Sequence, residues 1–209
     1  MLADPITAIE TALVARLKAG LGKMVTEVAS YAGELDGNLP EVIRCFPAAW
    51  VTFGGITKTE PYGTSKDRFK ATGQFVVMVG SRNLRGGSAA RQGQDGPGVN
   101  RLVMAVRKLL CQQDLGMEIA HLKPGKVRTL FNTRIENTAL QVFACEFETA
   151  WVEDVLVNGD YPLATDLLYA GFDGATTPPD PDLLQVGMDY HLTPDDGTAD
   201  ASDKLTLRN

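Results

Sequence analysis

Long apolar runs are missing from this sequence, and none approaches the roughly 18 residues that span a bilayer. The N-terminus carries the acidic Asp4 and only a short apolar stripe, unlike a signal peptide. Hydrophobic residues make up 44% and charged residues 22% of the chain, which is typical of soluble globular proteins. We therefore expect no membrane partner.

Histidine and cysteine are also scarce. His121 and His191 have no second ligand at the spacing of a metal site, so no metal is expected. The three cysteines, Cys45, Cys111 and Cys145, are widely spaced and lie in apolar surroundings. An odd number of isolated cysteines argues against a disulfide framework and predicts reduced thiols in the core.

Sequence motifs for catalysis are lacking as well. No G-x-S-x-G elbow, GxxxxGK[ST] loop or GxGxxG turn occurs. Glu34 and Asp36 lie in a GELDG stretch, where turn chemistry explains both residues better than acid–base catalysis does. The glycine-rich GGSAARQGQDGPG precedes a helix, but we interpret it as a surface loop that becomes ordered against a partner. We expect a protein that is not an enzyme and has no cofactor.

The net charge of −6 is unevenly distributed. Residues 153–209 contain twelve acidic and two basic residues, a balance of −10, which leaves +4 for residues 1–152. This asymmetry predicts an acidic arm on a mildly basic body, although a solubilising tail would have the same composition.

Hydrophobic periodicity predicts two amphipathic helices, one from Pro5 to about Gly22 and one from Val99 to about Gln113. Strands are expected at KMVTEVASY, Ala48–Phe53, TGQFVVMVGS and Leu140–Val152, and a short helical turn at Leu39–Phe46. The segment Met117–Phe131 contains a Pro-Gly pair and predicts a hairpin or a bent strand.

This order predicts an α+β fold, with a mixed or antiparallel sheet and both helices packed on one face. We expect residues 1–154 to form this body. Residues 155–209, rich in proline, glycine and aspartate, are expected to form an extended acidic C-terminal arm.

Basic residues concentrate in two expected loops, residues 54–70 and 82–98, which flank the third strand. They are Lys58, Lys66, Arg68, Lys70, Arg82, Arg85 and Arg91. If both loops lay at one end of the sheet, they would form a positive edge that could meet phosphates or an acidic protein. Solvated loops without a partner are an equal alternative.

Three phrases of the sequence resemble a known family: ITAIETALVARLKAGL, SYAGELDGNLPEVIRCFPAAWVTFGG and the C-terminal DGTADASDKLTL. They are similar to the Mu-like phage tail-terminator, or neck, proteins, encoded next to the tail sheath gene. The likeness covers most of the chain and is strongest in residues 5–55. It consists of turn and core residues and includes no catalytic signature.

The resemblance implies a virion protein, assembled in the bacterial cytoplasm, that forms a homohexameric ring. Such a ring would cap the tail tube at its head-proximal end, contact the tube protein and the sheath, and join the head–tail connector. Genomic DNA would only pass through its lumen. Two alternatives stay open: a head-completion or connector protein, and a nucleic-acid-binding protein that uses the basic loops.

Overall fold

The fold is taken from a computed structural model. The residues it describes are 4–33, 45–64, 67–83, 98–135, 138–156, 158–162, 166–169, 185–191, 199 and 201–206. Several predicted features lie outside them: the carboxylates of Glu34 and Asp36, most of the Leu39–Phe46 turn, and almost all of the glycine-rich stretch before the second helix.

Helix α1 spans Pro5–Leu21 and begins as the sequence predicts. The Asp4 side chain accepts a hydrogen bond of 3.0 Å from the backbone N–H of Thr7, which satisfies a free donor of the first turn. Hydrogen bonds from the Thr7 side chain and backbone hold the pKa of Asp4 below its ordinary value. The buried face contains Ile9, Leu13, Leu17 and Leu21.

Helix α2 spans Val99–Leu110, somewhat shorter than predicted. It buries Val99, Leu102, Val106 and Leu110. The two helices are joined by a hydrogen bond of 2.7 Å from Arg16 Nε to the carbonyl of Leu109. They are therefore neighbours in one layer.

The main sheet has five strands in the order β1-β2-β3-β5-β4. Their bounds are β1 Glu27–Ser30, β2 Ala48–Pro61, β3 Arg68–Asn83, β4 Lys123–Ile135 and β5 Thr138–Asp154. Strand β1 pairs with β2 in parallel, and all other pairs are antiparallel. The mixed sheet with two helices on one face confirms the predicted α+β class.

Residues 54–70 form a hairpin instead of the predicted polar loop. Strand β2 continues to Pro61, and β3 begins at Arg68. Gly55, with φ of 109°, follows a register shift after Phe53, a backbone geometry that favours glycine. Beyond this bulge β2 is largely exposed. A strand in contact with solvent on both faces has no apolar alternation, so periodicity could not reveal it.

Each face of the sheet carries its own apolar cluster. The helix-covered face holds the larger one, in which Phe75, Val77 and Phe147 pack against α1 and α2. On the opposite face, Phe46 meets Trp50 edge to face, with ring centroids 5.4 Å apart. The rest of that smaller cluster is Ala48, Met78, Leu140 and Val142.

A separate hairpin lies in the C-terminal part of the chain. Strand β6 (Gln185–Tyr190) pairs antiparallel with β7 (Ala201–Thr206). Backbone contacts divide the chain into two compact units, Met1–Val155 and Leu156–Asn209. Among the described residues, no helix is long and apolar enough to cross a bilayer.

Replacing Gly80 by alanine should destabilise the first unit. An added Cβ would lie 1.7 Å from Cε1 of Phe46, so the buried ring would have to move. We expect a loss of about 1–3 kcal/mol in the free energy of unfolding, measured by denaturant titration. Phe46→Ala removes the obstacle, so Gly80→Ala should cost much less in that background. Equal costs in both backgrounds would contradict this packing.

Candidate functional site

The predicted basic residues do not come together at one end of the sheet. Arg68 begins β3 and Arg82 lies near its end. Fourteen residue steps of extended strand lead from one to the other, a distance of about 45 Å. Lys58 and Lys70 lie at the Arg68 end. Lys66, Arg85 and Arg91 lie outside the described residues. The expected common edge is therefore wrong for the described members of the set.

At the Arg68 end, acidic side chains interleave with the cations. Lys58 Nζ lies 2.8 Å from Glu60 Oε1, and Arg68 Nε lies 3.1 Å from Asp154 Oδ1. Lys70 stands opposite Glu60 in the strand register. All of the paired side chains are more than half exposed, so these ion pairs stabilise the hairpin little. Their main effect is to remove the positive field that the cations alone would produce.

A more uniformly basic surface lies on β4, at the opposite edge of the sheet from β1. Residues 123–135 contain four basic residues and no acidic one: Lys123, Lys126, Arg128 and Arg134. The side chains of the first three are exposed. Within the described parts of the chain, only β5 pairs with β4. We call the other side of β4, with which no described strand pairs, its open side.

The start of β4 is held by contacts with neighbouring elements. A register shift separates Pro124 from Val127, and Arg107 of α2 donates a hydrogen bond of 3.3 Å to the carbonyl of Gly125 there. Arg128 Nη2 lies 2.6 Å from Glu146 Oε1, whose side chain is only 10% exposed. Strand β4 is thus a fixed edge, and the predicted bend at Pro124 is a bulge within it.

Sequence reasoning missed this edge because the Pro-Gly pair drew attention to a turn. The available signal was the run KPGKVRTLFNTRI, in which four cations occur without any carboxylate. His121 is exposed just before β4.

The cysteines show the environment expected of thiols without a disulfide. None of the three forms a disulfide among the described residues; Cys145 is buried, while Cys45 and Cys111 are half-buried. Burial raises the pKa of the Cys145 thiol to about 11, against the opposing effect of the Arg107 charge. At neutral pH this thiol is therefore protonated and a poor nucleophile.

Comparison with known families identifies the first unit. A family model described as Bacteriophage Mu, Gp37 matches residues 5–152. The chain belongs to this family. The match covers more than two thirds of the sequence and stops three residues before the end of the first unit. No curated protein sequence matches the chain.

Membership of the Gp37 family confirms the Mu-like phage part of the resemblance and supports a structural role in the virion. The C-terminal phrase DGTADASDKLTL, which contributed to that resemblance, lies outside the matched residues. The shared family features therefore belong to the first unit, including β4.

Removing the Arg128 guanidinium should reduce stability, because it leaves the nearly buried Glu146 carboxylate without its partner. We expect Arg128→Ala to lower the free energy of unfolding by about 1–3 kcal/mol. Lys126→Ala is the matched control: it removes one positive charge from the same strand, but this exposed lysine has no ion-pair partner among the described residues. Its effect should stay within about 0.5 kcal/mol. Equal losses in chemical denaturation would show that the Arg128–Glu146 pair is not important for stability.

Proposed function

We propose that this protein is a tail terminator, a neck component that caps the tail tube at its head-proximal end. In this role six copies form a closed ring, which contacts the tube protein and the sheath on one side and the head–tail connector on the other. Genomic DNA passes through the lumen. The observation that carries the proposal is the Gp37 family match across the first unit.

The architecture of the first unit supports an assembly role. Both helices cover one face of the sheet, and the opposite face carries the Phe46–Trp50 cluster near the start of β2. The charged hairpin end lies at the other end of that strand. The two outer strands, β1 and β4, differ in length, partner and charge. A closed ring repeats one heterologous contact between two unlike surfaces, so an asymmetric subunit of this kind suits it.

The exposed hairpin of β2 and β3 offers a second contact surface for the ring. Its cations and carboxylates alternate within a few ångströms of one another. Mixed charges of this type favour a particular register between protein surfaces more than they raise affinity. Three described members of the predicted partner-binding set lie at this end: Lys58, Arg68 and Lys70. We infer that these residues contact protein.

Deleting the gene tests the proposed role. Without a terminator, tube polymerisation has no stop, so we expect headless tails of irregular length in electron micrographs of the lysate. Supplying the intact gene in trans should restore uniform tails joined to heads. Tails of normal length in the deletion would overturn the proposal.

A head-completion or connector protein is the second candidate, and the same micrographs distinguish it. Its loss would give tails of correct length beside capsids that lose their DNA. The cations of β4 also keep a nucleic-acid-binding role open. That role requires binding of free duplex DNA with an affinity that falls steeply with salt.

A further inference from the structure

The open side of β4 has the properties of a strand-docking site. Strand β4 has thirteen residues, with register shifts after Pro124 and after Thr129, and its only proline is the second residue. Val127 and Leu130 are 39% and 40% exposed, so apolar contacts are available beside the cations. An unpaired strand edge offers backbone N–H and C=O groups to any extended segment of suitable charge.

The charge of β4 limits which segments can dock. Edge lysines commonly prevent sheet edges from pairing with each other. Here two β4 edges would bring four cations of each copy together, which disfavours a contact of β4 with itself. The same cations attract a strand that carries carboxylates. The edge therefore selects for an acidic partner.

The chain itself contains a strand pair within an acidic segment. Residues 185–206, which we call the acidic hairpin, include β6 and β7 and contain five acidic residues and one basic residue. Asp189, Asp203 and Lys204 lie in the strands, whereas Asp195, Asp196 and Asp200 lie outside the described residues. The net charge of −4 of the acidic hairpin is equal and opposite to the +4 of residues 123–135. The longer segment 156–209 carries ten acidic and two basic residues.

The acidic hairpin also lacks the packing that a stable strand pair requires. Every side chain of β7 is exposed, and Met188, Tyr190 and Leu205 are 42%, 49% and 53% exposed. A two-stranded hairpin without a packed face is marginally stable in water. Addition to a larger sheet would pair one of its outer edges and cover part of this apolar surface.

We propose that the open edge of β4 binds the acidic hairpin of a second copy of the chain. Twenty-nine residues lie between Val155 and Gln185, and a segment of that length can span up to about 100 Å, enough to reach a neighbouring subunit. The inference rests on the proposed ring, in which each copy gives one surface and receives another. Because the family match ends before the hairpin, this contact supplements those made by the shared body.

Isotope-mixed crosslinking of the full-length protein tests the contact. Equal amounts of ¹⁴N- and ¹⁵N-labelled protein are mixed and treated with a zero-length carbodiimide, which joins a carboxylate to an amine only at contact distance. We expect peptides that link Lys123 or Lys126 to Asp189 or Asp203, with about half of these pairs of mixed isotope. Mass spectrometry reads the site and the isotope together.

Charge exchange supplies the specific control. Lys126→Glu and Asp189→Lys each remove one crosslinking group, so the yield is measured on the links between the remaining residues. Each single variant should reduce the yield of these mixed-isotope links several-fold, and the double variant should restore it. Lys18→Glu makes the same charge change at an exposed position of α1 and should leave the yield unchanged. A similar loss with Lys18→Glu would show that net charge alone controls association.

The remaining outcomes overturn the inference. Links of a single isotope would mean that the hairpin docks on its own body, and the absence of links between these segments would mean that β4 takes another partner. This readout does not depend on tail length. Intermolecular links together with normal tails in the deletion would reject the terminator role and keep the contact. Irregular tails in the deletion without intermolecular links would keep the terminator role and reject the contact.

Discussion

The antiparallel pairing of β3 with β5 runs without a register shift from Arg68 opposite Asp154 to Asn83 opposite Ala139. Because side chains alternate across a strand, this one register fixes which residues face the helices and which face away. A slip by one residue would move Phe75 and Phe147 out of the helix-covered core. The positions of β2, β4 and both helices all depend on this pair.

The two faces set by that register have different roles. The helix-covered face is filled by aliphatic and aromatic side chains and holds the larger of the two clusters of buried residues. The other face combines a small aromatic cluster with charged residues, and Glu146 is buried there beside Arg128. The helices thus stabilise the subunit from one side. Neither helix covers the opposite face or the β4 edge.

Much of this fold could be predicted from the sequence where periodicity was strong. Ile9, Leu13 and Leu17 marked one face of α1, and Phe143, Cys145, Phe147 and Trp151 marked one face of β5; the structure places both sets in the core. Periodicity failed to predict the strands within residues 54–70, because both sides of this hairpin contact solvent. The end of β2 is held there by backbone pairing with the start of β3.

The candidate site was harder to predict than the fold. The seven loop cations were grouped by nearness in sequence, whereas the strand between them carries Arg68 and Arg82 to opposite ends of the sheet. The charge of β4 was visible in the sequence, but that β4 is an edge strand follows only from the strand order. Strand order depends on long-range pairing, which local patterns do not encode.

Electron cryomicroscopy of the neck in intact particles tests the central claim most directly. If the protein is a tail terminator, the density will show a closed ring of this chain at the head-proximal end of the tail tube, with the five-stranded body of residues 5–155 repeated six times around the lumen. Density for the chain in the capsid shell or at the distal end of the tail, with another protein closing the tube, would contradict it.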